Sequence, residues 1–310
     1  MKNVFVINGF LEAGKTEFIK FTITQPYFQT TNTTLLILCE EGEVEIEEEI
    51  LRKTHTVVEV IENKEDLNST TLLNFEKKHK PERIIIEYNG MWQMSDLKMP
   101  WHWKLAQQVT VINASTFSMY FANMRSLISD MVKKSELIIF NRCDGLNKEL
   151  PTYKRNVMAL NRNAEIVFED SKGEINTTLD EELPFDVNAP VIELVDETYG
   201  IWFFDCLDNL DRYNGKTVKF LAQVVKPDDF PEGLLVPGRS AMTCCADDIA
   251  FLGFICKTKE AEKYSKGDWI NITAELKVEF WKDYNGEGPV LYAKSIEKAK
   301  APKEEIISLV

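Results

Sequence analysis

Short apolar runs recur along the first half of the chain, and each is followed by a longer stretch of mixed apolar and polar residues. The runs are continuous and rich in Val, Ile and Leu, which is typical of strands buried on both faces of a parallel sheet. We predict such strands at residues 4–7, 35–39, 57–61, 84–87, 109–112, 137–140 and 165–168. We predict helices between them, at residues 15–24, 67–79 and 117–134. This alternation predicts an open α/β domain with a mostly parallel sheet over residues 1–170.

The pattern changes beyond residue 170. Residues 171–190 contain several turn-forming sequences and are interpreted as a linker. Further strands are predicted at residues 217–225, 249–256, 269–280 and 290–296, separated by turns that contain Gly, Pro and Asp. We therefore predict that residues 191–310 form a β-rich domain with a small antiparallel barrel of the OB type. We expect its tail, residues 301–310, to be frayed.

Length and charge narrow the class of protein. A chain of 310 residues is longer than one hydrophobic core usually serves, which agrees with two domains. The formal net charge of −14 argues against salt-driven binding to nucleic acid, which needs a basic face. No apolar run reaches the ~18 residues of a membrane-spanning helix. The N-terminus shows no secretory signal and the six cysteines show no disulfide framework, so we expect a cytoplasmic protein that does not span a membrane.

A candidate phosphate-binding loop follows the first predicted strand. The segment Gly9-Phe-Leu-Glu-Ala-Gly14-Lys15-Thr16 has the pattern G-x-x-x-x-G-K-[ST], and a predicted helix comes directly after it. In that arrangement, backbone N–H groups and a helix N-terminus surround the phosphates of a nucleotide. Lys15 would reach the terminal phosphates and the Thr16 hydroxyl would ligate Mg²⁺. The alternative is an ordinary glycine turn between a strand and a helix.

Glu12 is an unexpected residue in this loop. A carboxylate that faced a triphosphate would be repelled by it, at a cost of several kcal/mol in a partly dry site. Phosphates in such loops are held mainly by main-chain N–H groups, so a side chain in the middle of the loop is free to point outward. We therefore predict that Glu12 points away from the phosphates, toward solvent, a partner or a cation.

Two further motifs follow the loop in chain order. Ile84-Ile-Ile-Glu87-Tyr-Asn-Gly90 is a predicted strand that ends in an acid, with a glycine three residues later. The carboxyl end of such a strand is where α/β domains bind ligands, so Glu87 is predicted to hold the Mg²⁺ water shell or orient the attacking water. Gly90 would allow the backbone to approach the γ-phosphate. The alternative is that Glu87 only caps its strand.

The second motif is Phe140-Asn141-Arg142-Cys143-Asp144, which has the pattern N-x-x-D after a predicted strand. The carboxylate of Asp144 can accept hydrogen bonds from N1–H and the exocyclic amine of guanine, a pair of donors that adenine does not offer. The aliphatic stem of Arg142 can pack on the base. The motif predicts that Asn141 and Asp144 select GTP.

The segment Cys39-Glu40-Glu41-Gly42-Glu43 comes directly after the second predicted strand, where a switch segment is expected in such a domain. It overlaps an acidic run at residues 40–49. This run has two interpretations. It is interpreted either as a solvated helix start or acidic loop, or as a loop that acts together with a bound cation. The catalytic residues are predicted to be Lys15 and Glu87, and the Mg²⁺ site to be formed by Thr16 and Glu87. The nucleotide-binding residues are predicted to be Gly9, Glu12, Ala13, Gly14, Lys15, Thr16, Glu17, Gly90, Asn141, Arg142 and Asp144.

The order of these motifs, G-F-L-E-A-G-K-T, E-E-G-E-V, I-I-I-E-Y-N-G and F-N-R-C-D, resembles that of the CobW-type GTPases, relatives of the HypB and UreG nickel chaperones. The resemblance covers roughly residues 1–170. It implies slow, Mg²⁺-dependent GTP hydrolysis that gates the delivery or insertion of a metal. The typical C-x-C-C metal motif of the family has no counterpart, because residues 57–83 contain no cysteine.

The second half also has a resemblance. The strings Tyr213-Asn-Gly-Lys-Thr-Val, R-S-A-M-T-C-C-A-D-D and Gly267-Asp-Trp269-Ile are similar to the C-terminal domain of YcgQ-like proteins, which accompany membrane permeases. Thiolates suit Zn²⁺ or Cu⁺, so Cys244 and Cys245 are candidate zinc ligands, to which the following aspartates could add oxygen ligands. The alternative is that one of these cysteines is a small buried apolar residue.

Two functions are consistent with these residues. The first is a GTPase switch in metal homeostasis or delivery, with GTP and Mg²⁺, and with Zn²⁺ if the cysteine pair binds it. The second is a non-catalytic, GTP-dependent adaptor that docks its β-domain on a membrane permease or a metalloenzyme. The expected partners are GTP and either a client protein that handles a metal ion or a permease, and nucleic acid is not an expected partner.

Overall fold

The computed structural model describes residues 1–40, 45–175, 183–227, 230–242 and 249–309. The chain divides into two compact units, Met1–Leu179 and Asp180–Val310, and each is described by itself. Within the described residues, no helix is long and apolar enough to cross a membrane.

The first unit is a mostly parallel sheet with helices between its strands. Its strands are β1 (Lys2–Asn8), β2 (Thr34–Leu38), β3 (Thr56–Val60), β4 (Arg83–Glu87), β5 (Trp103–Asn113), β6 (Leu137–Asn141), β7 (Glu165–Asp170) and β8 (Gly173–Glu174). Its helices are α1 (Lys15–Thr24), α2 (Glu48–Lys53), α3 (Ser69–His79), α4 (Ala114–Asn123), α5 (Arg125–Val132) and α6 (Leu150–Leu160). The sheet order is β3-β2-β4-β1-β5-β6-β7-β8, and the short β8 alone pairs antiparallel, with β7.

Both faces of this sheet are buried, which explains the continuous apolar runs. In β4, Ile84 and Ile86 pack into one hydrophobic cluster, whereas Ile85 packs into another. Successive side chains of a strand point to opposite faces, so a strand covered on both sides needs apolar residues at every position. The predicted α/β domain is therefore confirmed as a fold.

Two helix predictions differ from the structure. The single helix predicted over residues 117–134 is two helices, α4 and α5, which are separated by Met124 with φ −132° and ψ 35°. The helix predicted from residue 67 begins at Ser69, because the Asn68 side chain accepts hydrogen bonds from the backbone N–H groups of Thr70 and Thr71. Such an N-cap satisfies donors that the first helical turn leaves free, and so it fixes the helix start.

The second unit is a β-barrel with helices that precede it. Its strands are β9 (Ile192–Glu193), β10 (Thr217–Val225), β11 (Leu234–Met242), β12 (Ile249–Gly253), β13 (Ile255–Lys257), β14 (Trp269–Trp281), β15 (Gly286–Lys298) and β16 (Ile306–Ser308). Its helices are α7 (Asp196–Asp208) and α8 (Leu210–Tyr213). Strands β10, β11, β13, β15 and β14 pair in that order and β14 returns to β10, so the barrel is closed. Of these pairs only β13–β15 is parallel, and the predicted small antiparallel barrel is confirmed.

The sequence did not predict α7, β11 or the break in the strand expected at residues 249–256. Phe254 interrupts that strand and is buried against α7, where its ring stacks on Phe203 at 4.5 Å and meets Trp202 edge-on at 5.4 Å. The expected fraying of residues 301–310 was also wrong for part of that tail. Strand β16 pairs in parallel with β11, and Ile307 is only 4% exposed.

Candidate nucleotide-binding site

The predicted phosphate-binding loop lies between β1 and α1, at the carboxyl edge of the sheet. Gly9 has φ 144° and Gly14 has φ 97°, conformations that favour glycine. A side chain at Gly9 would also place its Cβ 2.2 Å from the backbone oxygen of Val111, which leaves no room for one. The two glycines therefore set the path of the loop before it enters α1.

Lys15 lies in the first turn of α1 and is 3% exposed. Its Nζ donates hydrogen bonds to the backbone oxygens of Gly9 and Phe10 at 2.9 and 3.0 Å, and to Oε2 of Glu40 at 2.5 Å. The ammonium is thus folded back over the loop and held by the carboxylate of Glu40, two residues beyond the end of β2. Residues 41–44, which include the part of the predicted switch segment after Glu40, lie outside the described residues.

Thr16 and Glu87 form a pair next to this lysine. The Thr16 hydroxyl lies 3.0 and 3.1 Å from the two carboxylate oxygens of Glu87, which is 3% exposed at the end of β4. Burial raises the pKa of Glu87 to about 7, against the opposing effect of Lys15. The fold thus brings together a hydroxyl and a carboxylate, two oxygen donors of the kind that Mg²⁺ prefers.

Gly90 packs against the phosphate-binding loop itself. A Cβ at Gly90 would lie 2.3 Å from the backbone oxygen of Gly9 and 2.8 Å from Cα of Phe10. The segment after β4 and the loop after β1 therefore touch through their backbones. This contact gives Gly90 a packing role that the sequence did not suggest.

Glu12 lies at the exposed tip of the loop. Its backbone is left-handed, with φ 57°, and its side chain is exposed. Its carbonyl oxygen accepts a hydrogen bond from Nη1 of Arg142 at 2.8 Å. Arg142 thus contacts the loop through its guanidinium group.

Asn141 contacts the loop from the end of β6. Its Nδ2 donates to the backbone oxygen of Ala13 at 2.7 Å, and a Cβ at Gly14 would lie 2.6 Å from the same nitrogen. Its Oδ1 is buried and has no hydrogen-bond partner among the described residues. Asn141 therefore braces the loop.

Glu17, the last of the predicted residues of the loop region, is exposed in the first turn of α1.

Asp144 is held by a residue that sequence reasoning missed. Ser171 donates to the Asp144 carboxylate from its backbone N–H at 3.1 Å and from its hydroxyl at 2.5 Å. These hydrogen bonds hold the pKa of Asp144 below its usual range. Ser171 follows β7, the strand next to β6, so the sheet itself brings the two residues together. The sequence signal that could have identified Ser171 is its position shortly after a predicted strand, where ligand-binding residues of α/β domains lie.

The predicted zinc ligands Cys244 and Cys245 lie outside the described residues. In the part of the chain that the structure describes, no three His, Cys, Asp or Glu side chains cluster as a metal site. The described cysteines are buried and free, and they are Cys39, Cys143, Cys206 and Cys256. Burial raises the pKa of Cys39 and of Cys256 to about 12, so these thiols are protonated and poor metal ligands at neutral pH.

The strand–loop–helix around Lys15, with Glu87 at the end of β4 and Asp144 after the end of β6, defines a P-loop nucleotide-binding domain. Residues 3–168 match the family described as "CobW/HypB/UreG, nucleotide-binding domain", which is more than half of the chain. Residues 170–307 match the DUF1980 C-terminal domain. No curated protein matches the sequence.

Several solved structures are similar to this chain at low identity. Hydrogenase maturation factor HypB from Archaeoglobus fulgidus is 16% identical over 55% of this chain and 82% of its own, with a TM-score of 0.41. The Zn(II)-bound YjiA GTPase from E. coli is 16% identical over 85% of this chain and 91% of its own, with a TM-score of 0.41. HypB from Helicobacter pylori in complex with nickel is 14% identical over 55% of this chain and 79% of its own, with a TM-score of 0.36.

The sequence match, and not these distant structures, assigns the family. The chain belongs to the CobW/HypB/UreG family, whose members are GTPases related to metallochaperones. The resemblance of both halves that the motifs indicated is thereby confirmed.

Proposed function

We propose that this protein is a GTP-binding switch with slow, Mg²⁺-dependent GTP hydrolysis that acts in metal homeostasis or delivery. The observation that carries the proposal is the grouping of three kinds of residue at one edge of the sheet. They are a buried lysine on the glycine loop, the Thr16–Glu87 pair, and the Asp144 carboxylate held by Ser171. Each matches one part of a magnesium-bound guanine nucleotide: phosphates, cation and base.

Phosphate binding is assigned to the loop and to Lys15. Backbone N–H groups of residues 13–16 and the N-terminus of α1 favour negative charge, and Lys15 adds a formal positive charge. Asn141 supports this role indirectly, because it bonds the carbonyl of Ala13 and so braces the loop. Glu12 is exposed at the loop tip, which fits the prediction that it points away from the phosphates.

Thr16 and Glu87 fit Mg²⁺, since the hydroxyl and the carboxylate are within 3.1 Å of one another and are buried at the sheet edge. When bound, Mg²⁺ would neutralise charge that develops on the phosphates. Glu87 is also suited to orient a water molecule, because its carboxylate sits at the end of β4 beside Lys15. Catalysis of this kind depends on positioning and electrostatics, so we expect slow turnover until a partner completes the site.

A phosphate-release assay with GTP and Mg²⁺ tests the enzymatic part. The wild-type chain should release phosphate slowly, and the variants Lys15→Ala and Glu87→Ala should lose at least about 90% of that rate, since loss of one electrostatic group commonly costs ~10² in rate. Glu165→Gln, at an exposed acid on the amino end of β7, serves as the control and should keep the wild-type rate. If the wild type releases no phosphate, with or without Zn²⁺, the chain is not a GTPase on its own.

The adaptor function is the second candidate, and the match of residues 170–307 to a separate domain family favours it. In that case GTP binding, without turnover, would control docking of the barrel on a permease or metalloenzyme in the cytoplasm. Tight GTP binding without phosphate release would support the adaptor. Zinc analysis of the purified protein and of Cys244→Ser tests the metal part separately: a stoichiometric zinc that is lost in the variant would support zinc handling.

A further inference from the structure

The ammonium group of Lys15 uses every hydrogen bond that it can donate. A lysine ammonium has three N–H donors. In Lys15 they donate to the backbone oxygens of Gly9 and Phe10 and to the carboxylate of Glu40. Any phosphate that binds to this ammonium must therefore take the place of one of the three acceptors. The two carbonyl groups belong to the loop that cradles the phosphates, whereas Glu40 belongs to a separate segment.

Glu40 is also the acceptor that a phosphate displaces most readily. Its carboxylate forms an ion pair with the ammonium of Lys15, with 2.5 Å between Oε2 and Nζ, and it would repel the like charge of a phosphate. The side chains of Lys15 and Glu40 are only 3% and 11% exposed, so water screens these charges poorly. A terminal phosphate would add further negative charge at a point where the ammonium of Lys15 is already paired with the Glu40 carboxylate.

The backbone around Glu40 shows where a displacement would begin. The N–H of Cys39 donates to the backbone oxygen of Glu87 at 2.9 Å, and the carbonyl of Cys39 accepts from Nδ2 of Asn89 at 3.3 Å. The N–H of Cys39 is therefore fixed to the last residue of β4, and its carbonyl to Asn89 in the segment after β4. Glu40 is the first residue beyond this attachment, so its side chain can leave Lys15 without disturbing β2.

We infer that Glu40 competes with the terminal phosphate of a bound nucleotide for Lys15, and so makes the site distinguish GTP from GDP. This inference rests on the proposed function. The terminal phosphate binds the ammonium of Lys15 and repels the carboxylate of Glu40. Binding of GTP therefore requires the Glu40 side chain to move away from Lys15. GDP has one phosphate fewer and repels the carboxylate less, so it can bind while Glu40 keeps part of its contact. Glu40 thereby links the identity of the nucleotide to the position of its own carboxylate.

Equilibrium binding of fluorescent GTP and GDP analogues to the full chain, at fixed Mg²⁺ and salt, tests the inference. In Glu40→Gln, GTP should bind about tenfold more tightly and GDP less than about threefold more tightly, because one charge-assisted hydrogen bond no longer has to be broken. The control is Glu165→Gln, which removes the same charge from an exposed residue at the amino end of β7, on the edge of the sheet opposite the phosphate-binding loop, and should leave both affinities unchanged. Thermal unfolding of each variant shows whether it is folded.

Glu40→Asp provides a second variant if Glu40→Gln does not fold. It keeps the charge but shortens the side chain, so it should shift the ratio of GTP to GDP affinity in the same direction and by less. Weaker GTP binding in Glu40→Gln would overturn the inference, since Glu40 would then assist the nucleotide. An unchanged ratio with normal wild-type binding would overturn it as well. If the wild type binds neither nucleotide, it is the proposed function that fails.

Discussion

At the scale of single residues, Gly90 connects packing with nucleotide binding. Gly90→Ala should destabilise the chain by about 1–3 kcal/mol and weaken GTP binding, because the new Cβ would lie 2.3 Å from the backbone oxygen of Gly9 and push the loop out of place. Thermal unfolding and GTP titration measure the two effects. Gly286→Ala is the matched control, since its Cβ would meet only one atom, at 4.0 Å. Unchanged GTP binding in Gly90→Ala would show that the loop tolerates the contact.

Ser171 is expected to support recognition of the guanine base, because it holds the carboxylate of Asp144. Its hydroxyl and N–H both donate to Asp144, so Ser171→Ala removes one of the donors that orient the carboxylate. We expect GTP affinity to fall by about fivefold, the effect of one hydrogen bond, and ATP affinity to stay unchanged. Titration with both nucleotides measures this. Ser171→Thr keeps the hydroxyl and should restore GTP binding; if it binds as poorly as Ser171→Ala, the effect does not come from the hydroxyl.

At the scale of secondary structure elements, β16 offers a pair of adjacent residues with opposite environments. Ile307 is 4% exposed and Ile306 is 37% exposed, and both pair with β11. Ile307→Ala should lower the free energy of unfolding of the second unit by about 2–4 kcal/mol, because it leaves a cavity in a packed site. Ile306→Ala should cost less than about 1 kcal/mol. Urea denaturation of both variants checks this, and equal effects would mean that the tail does not pack as described.

A charged cluster joins three strands of the barrel. Glu279 on β14 accepts hydrogen bonds from Lys257 on β13, at 2.6 Å, and from the hydroxyl of Tyr292 on β15. These hydrogen bonds lower the pKa of Glu279 below its ordinary value of 4.5, and the one from Lys257 has the largest effect. A carboxyl group with a lowered pKa stabilises the folded state above its unfolded-state pKa, and the contribution is lost as the pH falls through its folded-state pKa.

Glu279→Gln should therefore lower the free energy of unfolding by about 1 kcal/mol at pH 7, the usual scale of a charge-assisted hydrogen bond at a partly exposed site. The difference from the wild type should shrink as the pH is lowered below 4.5 and the wild-type carboxyl becomes protonated. Urea denaturation at pH 7 and pH 3 measures both. Glu287→Gln, an exposed acid on β15, is the control and should have little effect at either pH. A difference that is the same at both pH values would argue against a charge effect.

The two halves of the chain were not equally predictable from the sequence. Strands buried on both faces need continuous apolar runs, so the strands of the first unit were visible in the pattern. Strand β11 contains Pro237 and Gly238, which disfavour strands, and α7 contains a glycine and four aromatic residues, which disfavour helices. Helix α7 forms because Trp202 and Phe203 pack against Phe254, a tertiary contact that local sequence does not show.

The site was predictable to the extent that its motifs are local. The loop pattern and the acid at the end of β4 could be read directly, and the fold places Lys15, Thr16 and Glu87 together. Ser171 lies 27 residues from Asp144 in the chain, and only the pairing of β6 with β7 makes them neighbours. The contact of Glu40 with Lys15 also spans 25 residues and follows from the order β2-β4-β1.

At the scale of the whole molecule, fold and charge suggest different partners for the barrel. OB-type barrels commonly bind oligonucleotides, and the groove beside β13 and β15 is lined in part by Lys257, Lys259 and Lys294. Against this, the formal net charge of the chain is −14, and Lys257 and Lys294 are each paired with a glutamate. Binding to a polyanion depends on cations that are free to replace its counterions. We therefore expect the negative net charge to prevent binding of oligonucleotides.

We therefore predict that the full chain is not retained on single-stranded DNA at ~0.15 M salt, where exposed charges more than about 8 Å apart are largely screened. The same preparation should bind GTP, which shows that it is folded, and a basic single-strand-binding protein serves as the positive control. Retention would contradict the prediction. In that case Lys259→Glu, which reverses an exposed charge in the groove, would separate two explanations: loss of binding would place the DNA in the groove, and undiminished binding would place it elsewhere on the chain.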